Sequence, residues 1–405
     1  MPPPVGEAVP YTDSITYTLQ DTLGKTPYTL FYYAWNQSGM EDKLAADPKA
    51  GYTLLVPTNQ AMEEAGWSLE ALDAASGQVL QELVQSHVFS GKITPEVLCS
   101  ISGSYKANSL YVYPRVYYSS ELKPYVYSAQ LQYTQDLLVN GKSLGTETPL
   151  ETSNGYIWPV RQVLQVPQQS AWEVLKADER FSLYVQLLEY TDAAYRELFI
   201  QANGYAPEDG PAEVHIYARN SPLYYGLALS MEQAQAYVEQ PNTWFIPSNQ
   251  AFNAAGFYTL EDLMAFNTTH GEPEVEQVSG SPAYFRLVGD FATDSLLDYH
   301  DNWGMRMASY TLTRRRNATL FYSTDLSQQI FSDYPISALT EIEYGYYFPM
   351  MGETVFHYMP LVFQEGAVWV KGMPGDKVHF SDTDINTLNG VIHVVDGLLI
   401  PEKYK

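Results

Sequence analysis

The sequence predicts an α+β fold built from two copies of one domain, and three observations predict it. One phrase, an apolar run followed by proline, a hydroxyl residue and asparagine, occurs twice, as YTLLVPTNQAM at 52–62 and NTWFIPSNQAF at 242–252. Alternating tracts such as LYVYPRVYYSS, in a chain with 34 tyrosines, favour β-strands with one face in water. At 405 residues the chain is also longer than one ordinary core accommodates, so two domains are expected.

Charge and cysteine content narrow the classes of function. The chain has 22 Lys+Arg against 47 Asp+Glu, a formal net charge of −25. Such a surface repels phosphate backbones and anionic lipids, so nucleic acid is not expected as a partner. The single cysteine, Cys99, argues against a small disulfide-stapled scaffold but not against export. No run of 18 apolar residues occurs, so no membrane-spanning helix is predicted.

The first ten residues, MPPPVGEAVP, are interpreted as a flexible tether. They lack the charged start and the apolar stretch of a signal peptide. A methionine placed directly before three prolines suggests a start added to a processed chain. We therefore expect a removed leader upstream of this sequence, which could carry a lipid anchor.

The repeated phrase predicts a strand, a helix cap and a short helix. Pro57 ends an apolar strand, because proline has no N–H for the strand ladder. A side-chain oxygen of Thr58 or of Asn59 then accepts a hydrogen bond from the first free amides of a helix. The second copy repeats these positions as Pro247, Ser248 and Asn249.

Two further phrases recur in the same order. LVQSHVFSG at 83–91 matches LLDYHDNWG at 296–304, and TSNGYIWPV at 152–160 matches TLNGVIHVV at 387–395. The first phrase predicts an amphipathic helix with the histidine in its apolar stripe, and the second predicts an Asn-Gly turn before a buried strand. The residues concerned are His87, Tyr299 and His300 in the helices, and Asn154, Gly155, Asn389, Gly390, His393 and Asp396 in the turns and strands.

The spacing of the phrases predicts insertions in the second copy. From the proline to the histidine there are 30 residues in the first copy and 53 in the second. We predict one domain over 11–167 and another over 168–405, with surface insertions near 191–240, 265–290 and 305–380. The junction near 163–175 is short and not rich in Gly or Ser, so the two domains are expected to stay close.

The recurring histidines are interpreted as structural residues. A histidine on the apolar face of a helix is usually a core residue with a hydrogen-bond partner, and the alternative is a metal ligand or a general base. No second His, Cys or carboxylate recurs beside it in both copies. In the last strand His393 stands where the first copy has Trp158, so catalysis at that position is not expected.

These phrases, in this order, resemble the fasciclin (FAS1) domain. The first motif of that family resembles LVPTNQAM and FIPSNQAF, its Tyr-His element resembles SHV and YHD, and its last motif resembles NGVIHVVDGLLIP. The resemblance covers most of the chain as a tandem pair. The first copy departs from the pattern, with Trp158 in place of the histidine, Arg161 in place of the aspartate and Ser86 in place of the tyrosine.

The resemblance implies a compact α+β domain, a sandwich or wedge of short β-strands with flanking helices. It also implies an extracellular or cell-surface setting and a role in adhesion, with no enzymatic activity typical of the family. From the residues, no catalytic group, metal or cofactor is predicted. Taken with the acidic, tyrosine-rich composition and the proline-rich start, it predicts a bacterial surface lipoprotein anchored at the outer membrane.

One stretch has the spacing of a calcium loop. DTDIN at 382–386 places Asp382, Asp384 and Asn386 like the start of an EF-hand, but Thr387 stands where that loop needs glycine. An EF-hand is therefore excluded. A looser ion site and a solvated turn remain as alternatives.

Three aromatic tracts offer a binding surface. Exposed tyrosine faces stack on sugar rings and anchor protein interfaces. In an alternating strand one tyrosine of a pair faces outward and its neighbour faces inward. The candidate binding residues are Tyr111, Tyr113, Tyr117, Tyr118, Tyr344, Tyr346 and Tyr347, and the alternative is that they only cover the strands.

The sequence therefore predicts a non-enzymatic cell-surface adhesion or binding protein whose partner is an extracellular protein or polysaccharide. Its binding surface is expected in the insertions of the second copy, because the shared motifs are interpreted as scaffold. One alternative is a glycan-binding accessory protein of a bacterial nutrient-uptake system, which would use the tyrosine tracts. Another is a hydrolase, which an acidic cleft with two converging carboxylates would favour.

Overall fold

The computed structural model describes residues 15–47, 49–118, 123–145, 147–206, 228–230, 235–238, 241–278, 284–301, 320–327, 337–345, 348–358, 361–364, 367–371, 377–400 and 404. The chain divides into two compact units. The first consists of Met1–Tyr113 with Val126–Val166, and the second of Pro114–Tyr125 with Pro167–Lys405. Within the residues just given, no helix has both the length and the hydropathy needed to cross a membrane.

Short helices make up the N-terminal half of the first unit. They are α1 (Leu19–Leu23), α2 (Thr29–Gln37), α3 (Met40–Ala45), α4 (Asn59–Glu64), α5 (Leu69–Ala74), α6 (Gly77–Ser86) and α7 (Pro95–Cys99). The last four begin at a Ser or Thr whose hydroxyl accepts a hydrogen bond from the first turn. In α6, Leu80, Leu83 and Val84 are buried, so the helix has the predicted apolar stripe.

The strands of this part of the chain are β1 (Tyr52–Pro57), β2 (Val88–Ser90), β3 (Tyr105–Tyr118), β4 (Pro124–Tyr133), β5 (Leu137–Val139), β6 (Lys142–Ser143), β7 (Leu150–Thr152) and β8 (Gly155–Val160). They belong to the first unit except for the last residues of β3, after Tyr113, and the first residues of β4, before Val126. The strands lie in the order β6-β5-β4-β3-β2-β1-β8-β7. β1 pairs parallel with β8, from Tyr52 opposite Gly155 to Pro57 opposite Val160. Both strands are buried along their whole length, which explains why they are continuous apolar runs.

The helices of the second unit are α8 (Ala171–Ala177), α9 (Ser182–Asn203), α10 (Asn249–Ala254), α11 (Leu260–His270) and α12 (Ala292–Asp301), with 3-10 turns at Glu179–Phe181 and Ser323–Asp325. At the start of α11, the hydroxyl of Thr259 accepts from the N–H of Asp262, and the Asp262 carboxylate accepts from the N–H of Thr259. This capping box satisfies amides that a helix start leaves free.

The strands of the second unit are β9 (Ala228–Ser230), β10 (Gln235–Val238), β11 (Asn242–Pro247), β12 (Glu274–Val278), β13 (Tyr284–Val288), β14 (Ser337–Gly345), β15 (Phe348–Tyr358), β16 (Leu361–Gln364), β17 (Ala367–Lys371), β18 (Lys377–Thr387) and β19 (Gly390–Val395). Five of them form a sheet in the order β11-β19-β18-β17-β16. β11 pairs parallel with β19, from Asn242 opposite Gly390 to Pro247 opposite Val395. This is the register of β1 with β8, counted from the same residues of the repeated phrases.

Each unit has a hydrophobic core of its own. In the first unit Phe31 and Trp35 of α2 pack with Leu54 of β1 and Ile157 of β8. In the second, the core includes Tyr184 of α9, Trp244 of β11, Phe252 of α10 and Ile392 of β19. In each unit, a helix that precedes the first repeated phrase packs on the parallel strand pair: α2 on β1 and β8, and α9 on β11 and β19.

The mixed helix and strand content agrees with the α+β class predicted from the sequence. Residues 265–290, predicted as an insertion, contain the antiparallel strand pair β12 and β13. Much of 191–240 and of 305–380, the other two predicted insertions, lies outside the described residues, and so does the predicted tether at 1–10.

Candidate functional site

The two strand–helix phrases build the same corner. Thr58 follows β1, and its hydroxyl accepts a hydrogen bond from the N–H of Ala61 at 3.1 Å. Ser248 follows β11, and its hydroxyl accepts from the N–H of Ala251 at 3.4 Å. Of the two residues that the sequence offered as caps at each corner, the hydroxyl residue is therefore the cap.

The asparagine after each cap connects the corner to an earlier helix. Oδ1 of Asn59 accepts from the N–H of Leu30 at 3.0 Å, and Nδ2 donates to the carbonyl of Pro27 at 3.0 Å. Both partners lie at the start of α2, where a helix lacks internal acceptors for its amides. Asn249 makes the matching contacts at the start of α9, with Leu183 N, Glu179 O and Ser182 Oγ.

His87 connects the end of α6 to the segment that follows β8. Its Nε2 accepts from the N–H of Leu164 at 3.0 Å, and its Nδ1 lies 2.8 Å from the carbonyl of Leu83. Nδ1 therefore carries the proton and Nε2 the lone pair, which is the neutral ring. Burial lowers the pKa of His87 to about 4, and the Leu83 carbonyl opposes this shift.

His300 makes the matching connection in the second unit. Its Nε2 accepts from the N–H of Leu399 at 3.0 Å, and its Nδ1 donates to the carbonyl of Phe245 at 2.8 Å. Burial lowers the pKa of His300 to about 4 as well. Both ring nitrogens of both histidines are thus engaged by the backbone, as expected for core residues. Tyr299 precedes His300 in α12, and its side chain lies outside the described part of the structure.

The Asn-Gly pairs before β8 and β19 are also occupied by the protein itself. Oδ1 of Asn154 accepts from the N–H of Leu19 at 2.8 Å, and Oδ1 of Asn389 accepts from the N–H of Ala171 at 2.8 Å. A Cβ on Gly155 would lie 2.1 Å from the carbonyl oxygen of Tyr52, so only glycine fits between β8 and β1. Gly390 takes the same place opposite β11.

A further contact was not anticipated from the sequence. The N–H of Ile93 donates to Oγ1 of Thr53 at 2.8 Å, and the Ile93 carbonyl accepts from Nε1 of Trp158 at 2.9 Å. In the second unit the N–H of Phe321 donates to Oγ1 of Thr243 at 2.9 Å. The Phe321 carbonyl accepts from Nε2 of His393 at 2.8 Å. The threonine that both repeated phrases carry at their second position is the signal that could have revealed it.

The remaining motif residues lie at the carboxyl ends of the parallel strands. Pro57 and Pro247 are the last residues of β1 and β11. Oδ1 of Asp396 accepts from the N–H of His379 at 2.7 Å. In sum, the motif residues whose side chains the structure describes act on their own domain.

The structure corrects part of the aromatic hypothesis. Tyr111 and Tyr113 are each 4% exposed, and their rings contact each other, with centroids 5.2 Å apart. They cannot present ring faces to a partner. The reason is that residues two apart share one face of a strand; Val112, on the other face of β3, is 44% exposed.

Of the other candidate tyrosines, Tyr117 is half-buried. Tyr118 and Tyr344 lie in β3 and β14, but their side chains are outside the described structure, and so are the whole residues Tyr346 and Tyr347. The described part of the chain therefore leaves one partly exposed tyrosine from the predicted set.

The calcium-like spacing at 382–386 does not bring its carboxylates to one point. Asp384 accepts hydrogen bonds from the backbone and hydroxyl of Ser323, and Asp382 pairs with Arg180 at 3.1 Å. Across the described residues, no group of three or more His, Cys, Asp or Glu is arranged to hold a metal ion. The two carboxylates thus serve structural contacts.

A polar cleft of about 240 Å³ lies where β1 and β8 end, and it is lined by Thr58, Gln60, Glu64, Glu147 and Arg161. The carboxyl ends of parallel strands are a common place for ligands. Glu64 accepts from Nε2 of Gln60 at 2.8 Å. Within the described residues, the side chain of Arg161 is exposed and forms no hydrogen bond or ion pair.

Glu147 is set at the edge of this cleft by Tyr28. The Tyr28 hydroxyl donates to Oε2 of Glu147 at 2.8 Å. Burial raises the pKa of Tyr28 to about 12, with a further contribution from Glu147, so the hydroxyl remains a donor at neutral pH. The second unit has Asp396 at the position of Arg161.

The fold and these contacts define an α+β domain whose recurring polar residues maintain its own backbone. Residues 26–167 match the fasciclin domain family, and this part of the chain is a fasciclin domain. The solved FAS1 domain pair of the insect cell adhesion molecule fasciclin I is similar to this chain at 11% sequence identity. That alignment covers 93% of this chain and 98% of the insect chain, with a TM-score of 0.31, which is too low to define a shared arrangement.

Fasciclin domains are known from cell-adhesion proteins and are typically adhesion or binding modules rather than enzymes. They are generally extracellular or secreted. For residues 26–167, the family match therefore agrees with the resemblance seen in the sequence motifs.

Proposed function

We propose that this chain is a tandem fasciclin protein of the cell surface that binds a macromolecular partner, either a protein or a polysaccharide, without catalysing a reaction. In this proposal residues 168–405 form a second fasciclin domain. The register of β11 with β19, which repeats that of β1 with β8, supports it. The matched contacts of Asn59 with Asn249, and of His87 with His300, support it further.

The observation that carries the non-enzymatic proposal is the state of the buried histidines. His87 and His300 would be the natural general bases of a catalytic site. Each has both ring nitrogens in hydrogen bonds with the backbone, and each has a pKa lowered to about 4 by burial. Such rings stabilise the domain and offer no free nitrogen to a substrate.

Partner binding is then assigned to surfaces in which the two units differ. The cleft at the end of β1 and β8 is one such surface, because Arg161 in the first unit corresponds to Asp396 in the second. An unpaired guanidinium in a chain of net charge −25 is suited to a carboxylate or sulfate of the partner. Gln60 and Thr58 add neutral hydrogen-bonding groups beside it.

The setting we propose is extracellular, with a lipid anchor at the bacterial outer membrane. The family's general location supports display outside the cell, and the acidic, tyrosine-rich composition supports a surface protein. Labelling of intact cells with a membrane-impermeant reagent, combined with mass spectrometry of the N-terminus, tests both parts. A protein protected from the reagent would contradict surface display, and an N-terminus without acyl chains would contradict the anchor.

The binding proposal is tested by immobilising the full chain and screening polysaccharides and matrix proteins at physiological salt. The variants are Arg161→Ala in the cleft and Lys142→Ala, a matched control that removes one exposed positive charge elsewhere in the first unit. We expect saturable binding that Arg161→Ala weakens at least tenfold and Lys142→Ala leaves unchanged. Equal loss in both variants would show a general charge effect and contradict the role of the cleft.

The same screen distinguishes the proposed function from the alternative, glycan capture for a nutrient-uptake system. The alternative requires binding to polysaccharides alone, and it requires Tyr117→Ala to weaken that binding. Because the cleft also contains the carboxylates of Glu64 and Glu147, hydrolase activity is tested by incubating the chain with labelled polysaccharides. Release of labelled fragments that Glu147→Gln abolishes would overturn the non-enzymatic proposal.

A further inference from the structure

One pair of positions in the strand core is titratable in the second unit and not in the first. His393 of β19 corresponds to Trp158 of β8, and Asp384 of β18 corresponds to Pro149. His393 is 0% exposed and Asp384 is 3% exposed. Nδ1 of His393 lies 3.9 Å from Oδ1 of Asp384, so the two substitutions meet in the folded unit.

This pair fastens residues 320–327, a segment that includes a 3-10 turn, to the strand core. Nε2 of His393 donates to the carbonyl of Phe321 at 2.8 Å. The carboxylate of Asp384 accepts from the N–H of Ser323 at 2.7 Å and from its hydroxyl at 2.5 Å. Each member of the pair therefore holds one end of a three-residue stretch.

Asp384 is held in an unfavourable backbone conformation to make this contact. Its φ is +60°, which side-chain-bearing residues rarely adopt, and it lies in an irregular part of the pairing between β18 and β19. Such a conformation persists only where surrounding contacts stabilise it. The hydrogen bonds with Ser323 are contacts of that kind.

The protonation state of His393 decides whether these contacts are compatible. The ring donates through Nε2, while Nδ1 accepts from the N–H of Asp384 at 3.4 Å, so it is neutral. A second proton on Nδ1 would face that N–H, so the Asp384 backbone would lose its acceptor and two donors would point at each other. Protonation is therefore incompatible with the backbone position of Asp384 from which its carboxylate holds Ser323.

Other ionisable groups surround the pair. Burial lowers the pKa of His393, while the Phe321 carbonyl and the carboxylates of Asp384 and Asp382 oppose the shift. Phe245 and Phe380 pack their rings against the imidazole. Further charged or titratable groups on the neighbouring elements include Arg180, which pairs with Asp382, and His300, which donates to the Phe245 carbonyl. Others are Asp325 and Tyr322 of the 320–327 segment, His379 of β18 and Asp396 after β19.

We propose that His393 and Asp384 form an acid-sensitive latch, which holds residues 320–327 on β18 and β19 at neutral pH and releases them when His393 is protonated. The first unit has no such response at the matching contact, because the indole N–H of Trp158 does not titrate. With a lowered pKa in the closed form and about 6.5 in the open form, opening becomes more favourable as pH falls below about 6.5.

Amide hydrogen exchange of the full chain tests the latch. The N–H groups of Phe321 and Ser323 report opening, since Thr243 and Asp384 accept from them. After correction for the intrinsic pH dependence of exchange, we expect their protection to fall up to tenfold per pH unit below about pH 6.5. Ile93, bonded to Thr53 in the first unit, is the internal control and should show no such local fall.

Two variants at position 393 test whether His393 is the titrating group. His393→Gln retains an N–H donor for the Phe321 carbonyl without a titrating group, and His393→Trp installs the residue of the first unit. In a folded variant of either kind the excess pH dependence at 321–323 should disappear. A pH dependence that persists in His393→Gln would overturn the latch. So would exchange at 321–323 that follows the β19 amides at every pH in the unmodified chain, because it would indicate unfolding of the whole unit.

Discussion

Oδ1 of Asn389 accepts a hydrogen bond from the backbone N–H of Ala171 at 2.8 Å, across 218 residues of sequence. Oδ1 of Asn154 and the N–H of Leu19 form the same bond in the first unit, at 2.8 Å. Ala171 and Leu19 are the first residues of α8 and α1, whose amides have no acceptor within the helix. The asparagine thus joins a helix start to the central strand.

Asn389→Ala should lower the stability of the second unit. It leaves the buried N–H of Ala171 without its acceptor, which costs about 1–3 kcal/mol. Native-state hydrogen exchange, read separately for peptides of each unit, measures the loss and should place it in the second unit. Asn154→Ala should do the same in the first unit, and Asn36→Ala, at an exposed position of α2, is the control. An equal loss in both units from either substitution would contradict this assignment.

Acid should destabilise both units through their buried histidines. His87 and His300 have folded pKa values of about 4, against about 6.5 when unfolded. The folded chain therefore binds fewer protons than the unfolded chain between these values. The stability from each neutral ring is fully present above pH 6.5 and is lost as the pH falls towards 4, with a total on the order of 3 kcal/mol per histidine.

His87→Gln separates this effect from general acid denaturation. Exchange of core amides in β1 and β8 should depend less steeply on pH in this variant, while the second unit keeps its original dependence. Exchange of these amides is measured from pH 7 to pH 4.5 in the variant and in the parent chain. An unchanged slope in the first unit would show that His87 is not the group responsible.

Local features of the fold could be predicted because neighbouring residues determine them. The strand–helix corner followed from proline and a hydroxyl residue in sequence, and α6 followed from the spacing of Leu80, Leu83 and Val84. The burial of His87 followed from the same stripe. Each of these features depends on residues within about one or two helical turns.

Features that depend on distant partners could not be predicted in the same way. The recurring threonine marks Thr53 as a structural position, but nothing local in the sequence identifies Ile93 and Trp158 as its neighbours, because the fold brings those residues together. The face of β3 that is covered is also a tertiary property. Alternation places Val112 on the face opposite Tyr111 and Tyr113, but it does not tell which of the two faces is buried. The polar cleft joins residues from 58 to 161 for the same reason.

The cap at the first corner offers a test in which the chain supplies its own control. Thr58→Ala removes the acceptor for the N–H of Ala61 and should destabilise the first unit by about 1 kcal/mol, within a range of roughly 0.5–2. Thr58→Ser should be nearly neutral, because Ser248 caps α10 at the matching position. Exchange of α4 amides distinguishes the variants. A loss in Thr58→Ser as large as in Thr58→Ala would mean that the methyl group, and not the hydroxyl, is responsible.

Gly155 should tolerate no side chain, whereas Gly77 should accept one. A Cβ at Gly155 would lie 2.1 Å from the carbonyl oxygen of Tyr52 and 2.6 Å from Cδ1 of Leu19, so β8 would have to move away from β1. We expect Gly155→Ala to cost at least about 2 kcal/mol, since overpacking a core typically costs about 1–3 kcal/mol and here backbone must shift as well.

Gly77, the first residue of α6, has no heavy atom within 4 Å of the corresponding Cβ position. Gly77→Ala should therefore be neutral or stabilise by up to about 1 kcal/mol, because alanine restricts the unfolded chain and favours helix. Thermal unfolding of the two variants beside the parent chain gives the comparison, and similar melting temperatures would show that β1 and β8 are not packed as closely as their parallel register requires.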